Sequence, residues 1–298
     1  MKILLFGRNG QVGWELQRSL APLGELVALG SGPDEGGLAG DFRDPAAVAR
    51  TVRTVRPDAV VIAAAYTAVD KAESEPQLAQ TVNALAPGAI AEAARAVGAA
   101  IVHYSTDYVF DGSGTRPWRE DDATGPLSVY GRTKLQGEQA IAAAQPLHLV
   151  LRTSWVYGAR GGNFAKTMLR LARERDRLTV IDDQVGAPTG ADLLADLTAQ
   201  ALPGLLAQPD KAGIYHVAAA GETTWNGYAR FVLAKAQQRG QILKAGPDQV
   251  EAVPTSAFPT PARRPHNSRL STARFRAAFD LTLPPWEQGV ARMLEETL

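Results

Sequence analysis

The chain opens on Lys2-Ile-Leu-Leu-Phe6-Gly7-Arg-Asn-Gly10-Gln-Val-Gly13-Trp-Glu-Leu16. Lys2–Phe6 reads as a buried strand, and Gln11–Leu20 as a helix whose Val12, Leu16 and Leu20 share one face. Between them lie three glycines spaced G-x-x-G-x-x-G. A strand that runs through a glycine loop into a helix N-terminus turns backbone N–H groups toward a pyrophosphate. The spacing departs from the G-x-G-x-x-G of many dinucleotide sites, and glycines that only turn the chain would look alike in isolation. Position at the N-terminus and the pattern that follows favour the cradle, built from Gly7, Asn9, Gly10, Gln11, Val12 and Gly13.

Working outward, strands and amphipathic helices alternate. Glu25–Leu29 is a strand and Pro45–Val55 a helix with Val48, Val52 and Val55 inward. Asp58–Ala63 is almost wholly apolar, as a strand covered on both faces must be. Gln77–Val97 reads as one long helix, Ala99–Ser105 as a strand, Tyr130–Ala144 as a helix and Leu147–Thr153 as a strand. This order predicts an α/β fold with a Rossmann-type, doubly wound parallel sheet. Farther on, Asn163 is placed to cap a helix through Arg173. Leu178–Ile181 and Gly213–Val217 read as strands, and Ala191–Leu202 and Trp225–Gln238 as helices. Pro247–Pro265 reads as an extended proline-rich loop, followed by helices at Ser271–Phe279 and Trp286–Thr297. These later elements cannot all pack on one another, so a smaller C-terminal substrate lobe is expected to interleave with the first. The division expected is a dinucleotide domain over 1–153 with parts of 182–220, and a substrate lobe over 154–181 and 221–298.

Composition narrows the function. Lys plus Arg and Asp plus Glu are equal at 31 each, which argues against nucleic-acid binding. The absence of cysteine excludes disulfides, thiol catalysis and zinc–thiolate sites. No run approaches the ~18 apolar residues of a membrane span, and the first apolar run is too short for a secretion signal. A cytoplasmic address is the expectation.

Chemistry concentrates at the strand ends. The second strand ends Leu29-Gly30-Ser31, where an acid would otherwise take the adenosine ribose hydroxyls. Without that acid a 2′-phosphate is tolerated, and Arg8, just after Gly7, could approach one, so NADPH or NADH is expected. Asp41 and Phe42 are placed to meet the adenine, while Ala63, Ala64 and Tyr66 end the third strand and leave room for the dinucleotide backbone. Ser105-Thr106-Asp107 ends the fourth strand at its ligand-facing end. Tyr130 and Lys134 are four apart on one helix face. An ammonium beside a phenol would lower its pKa from ~10, and such an acid can protonate a developing alkoxide.

The glycine loop, Thr106, Tyr130 and Lys134 together resemble the extended short-chain dehydrogenase/reductase superfamily. More narrowly, several runs are similar to the dTDP-4-dehydrorhamnose reductase family. They include Ala63-Ala-Ala-Tyr-Thr-Ala-Val-Asp-Lys-Ala-Glu73, His103-Tyr-Ser-Thr-Asp-Tyr-Val-Phe-Asp-Gly112, Arg152-Thr-Ser-Trp-Val-Tyr157, Asp183-Gln-Val-Gly-Ala-Pro-Thr189 and Pro261-Ala-Arg-Arg-Pro-His-Asn-Ser268. The resemblance implies reduction of the C4 ketone of dTDP-4-dehydro-L-rhamnose, a step toward surface polysaccharide. It implies Tyr130 as general acid, Lys134 as its tuner and ribose ligand, and Thr106 as the hydroxyl that assists the carbonyl. It also implies Asp107 and Trp155 beside the sugar, with Arg263 and Arg264 on the diphosphate, where guanidinium forks suit phosphate oxygens. A magnesium-linked homodimer built on three glutamates is described for some members. Glu15 and Glu296 match two of these, and Asp192 stands at the third. Two other readings share the same features: a nucleotide-sugar epimerase of the superfamily, and a non-catalytic regulatory subunit of the methionine adenosyltransferase type.

Overall fold

The computed structural model describes residues 1–32 and 36–298. The elements used below are β1 (Lys2–Phe6), α1 (Gln11–Leu20), β2 (Glu25–Leu29), α2 (Pro45–Val55), β3 (Ala59–Ile62), α3 (Ala86–Val97), β4 (Ala100–Thr106), α4 (Val129–Ala144) and β5 (His148–Thr153). They continue with α5 (Phe164–Glu174), β6 (Leu178–Ile181), α6 (Ala191–Ala207), β7 (Gly213–His216), α7 (Trp225–Gln238), β8 (Val250–Val253), α8 (Ala273–Phe279) and α9 (Trp286–Thr297).

Six strands form one sheet in the order β7-β5-β4-β3-β1-β2, and each neighbouring pair is parallel. The alternation of side chains along β1 shows why both faces are covered. Ile3 and Leu5 pack on one side with Leu16 and Leu20 of α1, Leu194 and Leu202 of α6 and Phe275 of α8. Leu4 and Phe6 pack on the other with Val48 and Val52 of α2, Ile90 and Ala94 of α3 and Ile141 of α4. After β2 the chain crosses β1 to lay down β3. The strand order therefore reverses beside β1, and the carboxyl ends of β1 and β3 frame a crevice where ligands of such sheets bind.

A third core joins α5, α7 and α9 through Met168, Leu169, Tyr228, Val232, Trp286 and Val290. It includes Val180 of β6 and Val250 of β8, which pair in parallel. The loop expected over Pro247–Pro265 thus contains a strand. Val250 is 2% exposed, and burying that β-branched side chain against the third core outweighs the prolines that flank it. Two helices also differ from expectation. Gln77–Val97 is divided into Pro76–Gln80, a π-helical turn at Thr81–Leu85 and then α3. Pro87, which has no N–H, falls in the first turn of α3, where that loss costs least. The other, α6, runs on through Pro203 to Ala207.

Candidate active site

A cavity of about 1000 Å³ lies at the carboxyl ends of the strands. Gly7, Asn9, Gly10, Gln11 and Val12 line it from the first loop, and Gly30, Asp41 and Phe42 from the second strand onward. Ala63, Ala64 and Tyr66 line it after β3, Thr106 and Asp107 after β4, and Tyr130 and Lys134 from α4. Trp155 closes the far side. Gly13 stands behind this surface, where a Cβ would lie 2.0 Å from the Gly7 carbonyl oxygen. The glycine there lets α1 begin directly against the loop, which brings its N-terminus to the cavity. This geometry suits a pyrophosphate.

At the adenosine end, Phe42 is buried and meets Phe6 edge-on, ring centroids 5.4 Å apart. Asp41 receives a guanidinium fork from Arg43, which holds its carboxyl below the usual range. Arg8 does not line the cavity, because its Nη1 donates to the Ala28 carbonyl oxygen at 3.0 Å. Its position still bears on the strand end. A Cβ built on Gly30 would lie 2.6 Å from Asn9 Nδ2 and 3.7 Å from Arg8 Nε. Asn9 and Arg8 occupy the space into which a strand-ending acid would project.

The other end holds the proton chemistry. Ser128 caps α4 by accepting from Gly131 N at 3.1 Å, and Glu73 accepts from Val129 N at 2.7 Å. With two free N–H groups of that first turn satisfied, Tyr130 is held beside the end of β4. There its hydroxyl neighbours that of Thr106. Thr106 Oγ1 donates to Asp107 Oδ1 at 3.1 Å and accepts from Tyr108 N at 3.2 Å. Burial pushes Asp107 up to about 6, against the hydrogen bond from Thr106 and the nearby Ser268 hydroxyl. Ser105 Oγ, Asp107 Oδ2 and Thr153 Oγ1 are buried with no hydrogen-bond partner among the described residues, and all three side chains belong to the cavity wall. A buried polar group without a partner costs ~1–3 kcal/mol, so this floor is built to receive polar atoms.

The tuning expected of Lys134 is not present in the protein by itself. Burial pushes Tyr130 up to about 12, opposed by the neighbouring Thr106 hydroxyl, and Lys134 is not among the groups that act on it. The ammonium turns instead to β4, donating to the Tyr104 carbonyl oxygen at 2.6 Å and meeting His103 Nε2 at 3.1 Å. Lys134 is only 2% exposed, and burial lowers its pKa to about 8. Sharing a helix face does not make two side chains meet when one has better partners behind it.

Trp155 sits at φ +50°, in the left-handed region. Its ring stacks on Trp225, centroids 3.7 Å apart and planes 15° from parallel, and both rings face the cavity. The indole N–H of Trp225 donates to Gln184 Oε1 at 3.1 Å. The sequence reading missed Trp225 because it lies seventy positions from its partner, in the first turn of α7, with no local signal. It also missed Asn83 in the π-helical turn. That side chain accepts from Tyr66 N at 2.8 Å and donates to the Tyr66 carbonyl oxygen at 3.1 Å, fixing the loop after β3.

Two further expectations find no support in the geometry. Arg263 and Arg264 do not line the cavity. Arg263 is exposed, and Arg264 forks onto Asp70 at 3.1 and 2.8 Å. Glu15, Asp192 and Glu296 do border one smaller cavity, but Arg18 pairs with Glu15 while Arg292 reaches both Asp192 and Glu296. Among the described residues no group of three potential ligands is placed to hold a metal ion. The arginines already pair with these carboxylates, which leaves the magnesium expectation without support in this chain. No helix among the described residues is long and apolar enough to cross a membrane.

Comparison with known proteins agrees with this architecture. The family model for the RmlD substrate binding domain matches residues 1–298. A dTDP-4-dehydrorhamnose reductase of Salmonella typhimurium is 60% identical over 296 residues, covering 99% of this chain and 98% of the relative. The crystal structure of a dTDP-4-dehydrorhamnose reductase from Clostridium acetobutylicum superposes with a TM-score of 0.89 at 35% identity, covering 99% of each chain. The enzyme of that name from Bacillus anthracis, solved in complex with NADP, gives 0.88 at 33% identity, again over 99% of each. With the family model spanning the whole chain and a relative at this identity, the chain belongs to the dTDP-4-dehydrorhamnose reductase family.

Proposed function

We propose that the protein reduces the C4 ketone of dTDP-4-dehydro-L-rhamnose to the alcohol of dTDP-L-rhamnose. One observation carries the reading. A glycine cradle for a pyrophosphate, the Thr106–Tyr130 hydroxyl pair and a floor of unpartnered polar atoms all face one cavity. Bound NADPH or NADH would supply the hydride for C4. Thr106 then orients the carbonyl oxygen, and Tyr130 gives that oxygen its proton as it gains negative charge. Lys134 holds a positive charge behind this pair and offers its remaining N–H to ribose hydroxyls. The loop Gly7–Gly13 takes the pyrophosphate, and Asp41 and Phe42 take the adenine. Asp107 and Trp155 border the sugar. In this reading residues 1–153 with parts of 182–220 bind the dinucleotide, and 154–181 with 221–298 bind the sugar. The direct test is oxidation of NADPH on addition of dTDP-4-dehydro-L-rhamnose, with NMR of the product. No oxidation, or a product that keeps the ketone, would end the proposal.

The burial of Lys134 gives the reaction a pH dependence. Its charge is present below about 8 and lost above it. If that charge supports the proton transfer, kcat/KM declines on the alkaline side with an apparent pKa near this value. Arginine stays protonated to ~12.5 or beyond, so Lys134→Arg, even with lower activity, should remove the alkaline decline. A limb that stays in place in the variant would assign it to another group.

The strand end predicts cofactor use. With no acid at Gly30 and Arg8 beside it, NADPH should bind at least as tightly as NADH. A charged hydrogen bond contributes ~1.5–3 kcal/mol, so Arg8→Ala should weaken NADPH about tenfold or more while sparing NADH. Titration of protein fluorescence with each dinucleotide checks this, and equal weakening of both would remove Arg8 from the 2′-phosphate.

A further inference from the structure

The segment Ala262–Ser268 lies behind the turn that carries Thr106 and Asp107, rather than in the cavity. Asn267 N donates to the Gly112 carbonyl oxygen at 3.0 Å, and Asn267 Nδ2 donates to the carbonyl oxygens of Ser113 and Arg116 at 3.2 and 2.9 Å. The Ser268 side chain lies near the Asp107 carboxyl. Arg264 has two neighbours. Its fork holds both oxygens of Asp70, in the short helical turn Val69–Ala72 after β3, and Asp70 also accepts from Ala262 N at 3.2 Å. On its other side the guanidinium lies near the Tyr108 hydroxyl. The Tyr108 ring in turn meets Tyr130 edge-on, centroids 5.5 Å apart and planes 79° from parallel.

These contacts form a chain: Asp70, Arg264, Tyr108, Tyr130. We infer that Arg264 is a positioning residue for the proton donor, acting through Tyr108 and anchored by Asp70, and is not a ligand of the nucleotide diphosphate. The inference rests on the reading of Tyr130 as the proton donor. The chemistry of the fork supports it. A carboxylate occupied by a planar guanidinium at two points is a strong and directional contact. Taking Arg264 to a diphosphate would strip Asp70 of that partner, at a cost close to what the new contact returns. Left in place, the fork ties the β3 loop to the proline-rich segment across 194 positions of sequence. Tyr108 is then wedged between this tie and the ring of Tyr130.

The two roles separate in a double-mutant cycle. The assay is NADPH oxidation with the nucleotide sugar, paired with calorimetric titration of dTDP alone. Arg264→Gln is expected to lower kcat by about tenfold or more, since small misplacements of a reacting group are that costly. KM and the dTDP affinity should stay within about threefold, because the substrate contacts are untouched. Asp70→Asn should reproduce that pattern, and the double variant should be no slower than about twofold below the worse single, since the pair acts as a unit. Tyr108→Phe, which keeps the ring and removes only the hydroxyl, should show a smaller kcat loss with KM unmoved. It carries the test if Arg264→Gln does not fold.

Loss of dTDP affinity in Arg264→Gln with none in Asp70→Asn would overturn the inference and return Arg264 to the diphosphate. So would losses that multiply, or a kcat left at the parent value in Arg264→Gln and Tyr108→Phe alike. Tyr130→Phe is measured beside them. If that variant turns over normally, the reading of the proton donor has failed. If it is inactive while Arg264→Gln is normal, only the positioning role has failed.

Discussion

Tyr130→Phe is expected to lower kcat by ~10²–10⁴, the usual worth of a positioned general acid, while dinucleotide affinity stays near the parent's. The reasoning starts from the pKa. Burial raises the phenol to about 12, so at neutral pH it carries its proton almost completely. That is the form a donor needs in the direction of ketone reduction. The hydroxyl of Thr106 lies next to it, and the edge contact with Tyr108 fixes the ring. Phenylalanine keeps the ring and its packing and loses only the O–H. Folding and the glycine cradle should therefore survive, and thermal melting should confirm it. Binding is read by fluorescence titration with NADPH, and turnover by its oxidation. A variant within about threefold of parental kcat would strip Tyr130 of the role, because general acid catalysis contributes at least ~10².

The raised phenol also restates the part of Lys134. A lysine that lowered the phenol pKa would favour phenolate, which suits the reverse reaction, alcohol oxidation, where a base is needed. In the protein by itself the ammonium is occupied by the Tyr104 carbonyl oxygen and His103. Its expected part is therefore in the charge that develops during the reaction, and not in the resting phenol. The alkaline limb predicted for kcat/KM measures the lysine's part directly.

How much of this was legible in the chain follows from the range of each signal. The sheet could be read because its cause is local: apolar runs the length of a strand, then amphipathic periods, then a glycine loop. Ile3, Leu4, Leu5 and Phe6 alternate between two cores, which is what an unbroken apolar run demands. Thr106, Tyr130 and Lys134 could be read because each lies at a strand end or a helix start. Contacts between distant segments could not. The resemblance put Arg264 on the diphosphate, yet its partner Asp70 lies far back in the chain. Glu15, Asp192 and Glu296 suggested a metal, but the intervening Arg18 and Arg292 are visible only once the helices are packed. Strand β8 was hidden for the same reason. Proline-rich flanks argue for a loop, and its parallel partner β6 is seventy positions away.

Trp155→Ala is expected to lower kcat by about 10², since misplacing a substrate by ~1 Å costs that much. KM should change less. The energetics of the residue support a role in alignment. A non-glycine side chain at positive φ costs ~1–3 kcal/mol and persists only where its surroundings enforce it. The stack on Trp225 returns ~0.5–1.5 kcal/mol beyond its buried area, and Gln184 pins Trp225 through its indole N–H. The pair therefore holds one indole rigidly against the cavity at a conformational cost that packing alone would avoid. Alanine at position 155 keeps the strained backbone and removes the wall, so a sugar can bind in several poses, few of them aligned with Tyr130. Trp225→Ala should give the same kcat defect in weaker form, because Trp155 stays but loses its support. Far-UV circular dichroism reads the stack independently, since two coupled indoles give an exciton couplet that either substitution abolishes. The decisive comparison is kcat against melting temperature. If both variants melt lower, lose the couplet and still turn over within about threefold of the parent, the cost fits a core aromatic. In that case the tryptophan pair has no part in placing the sugar.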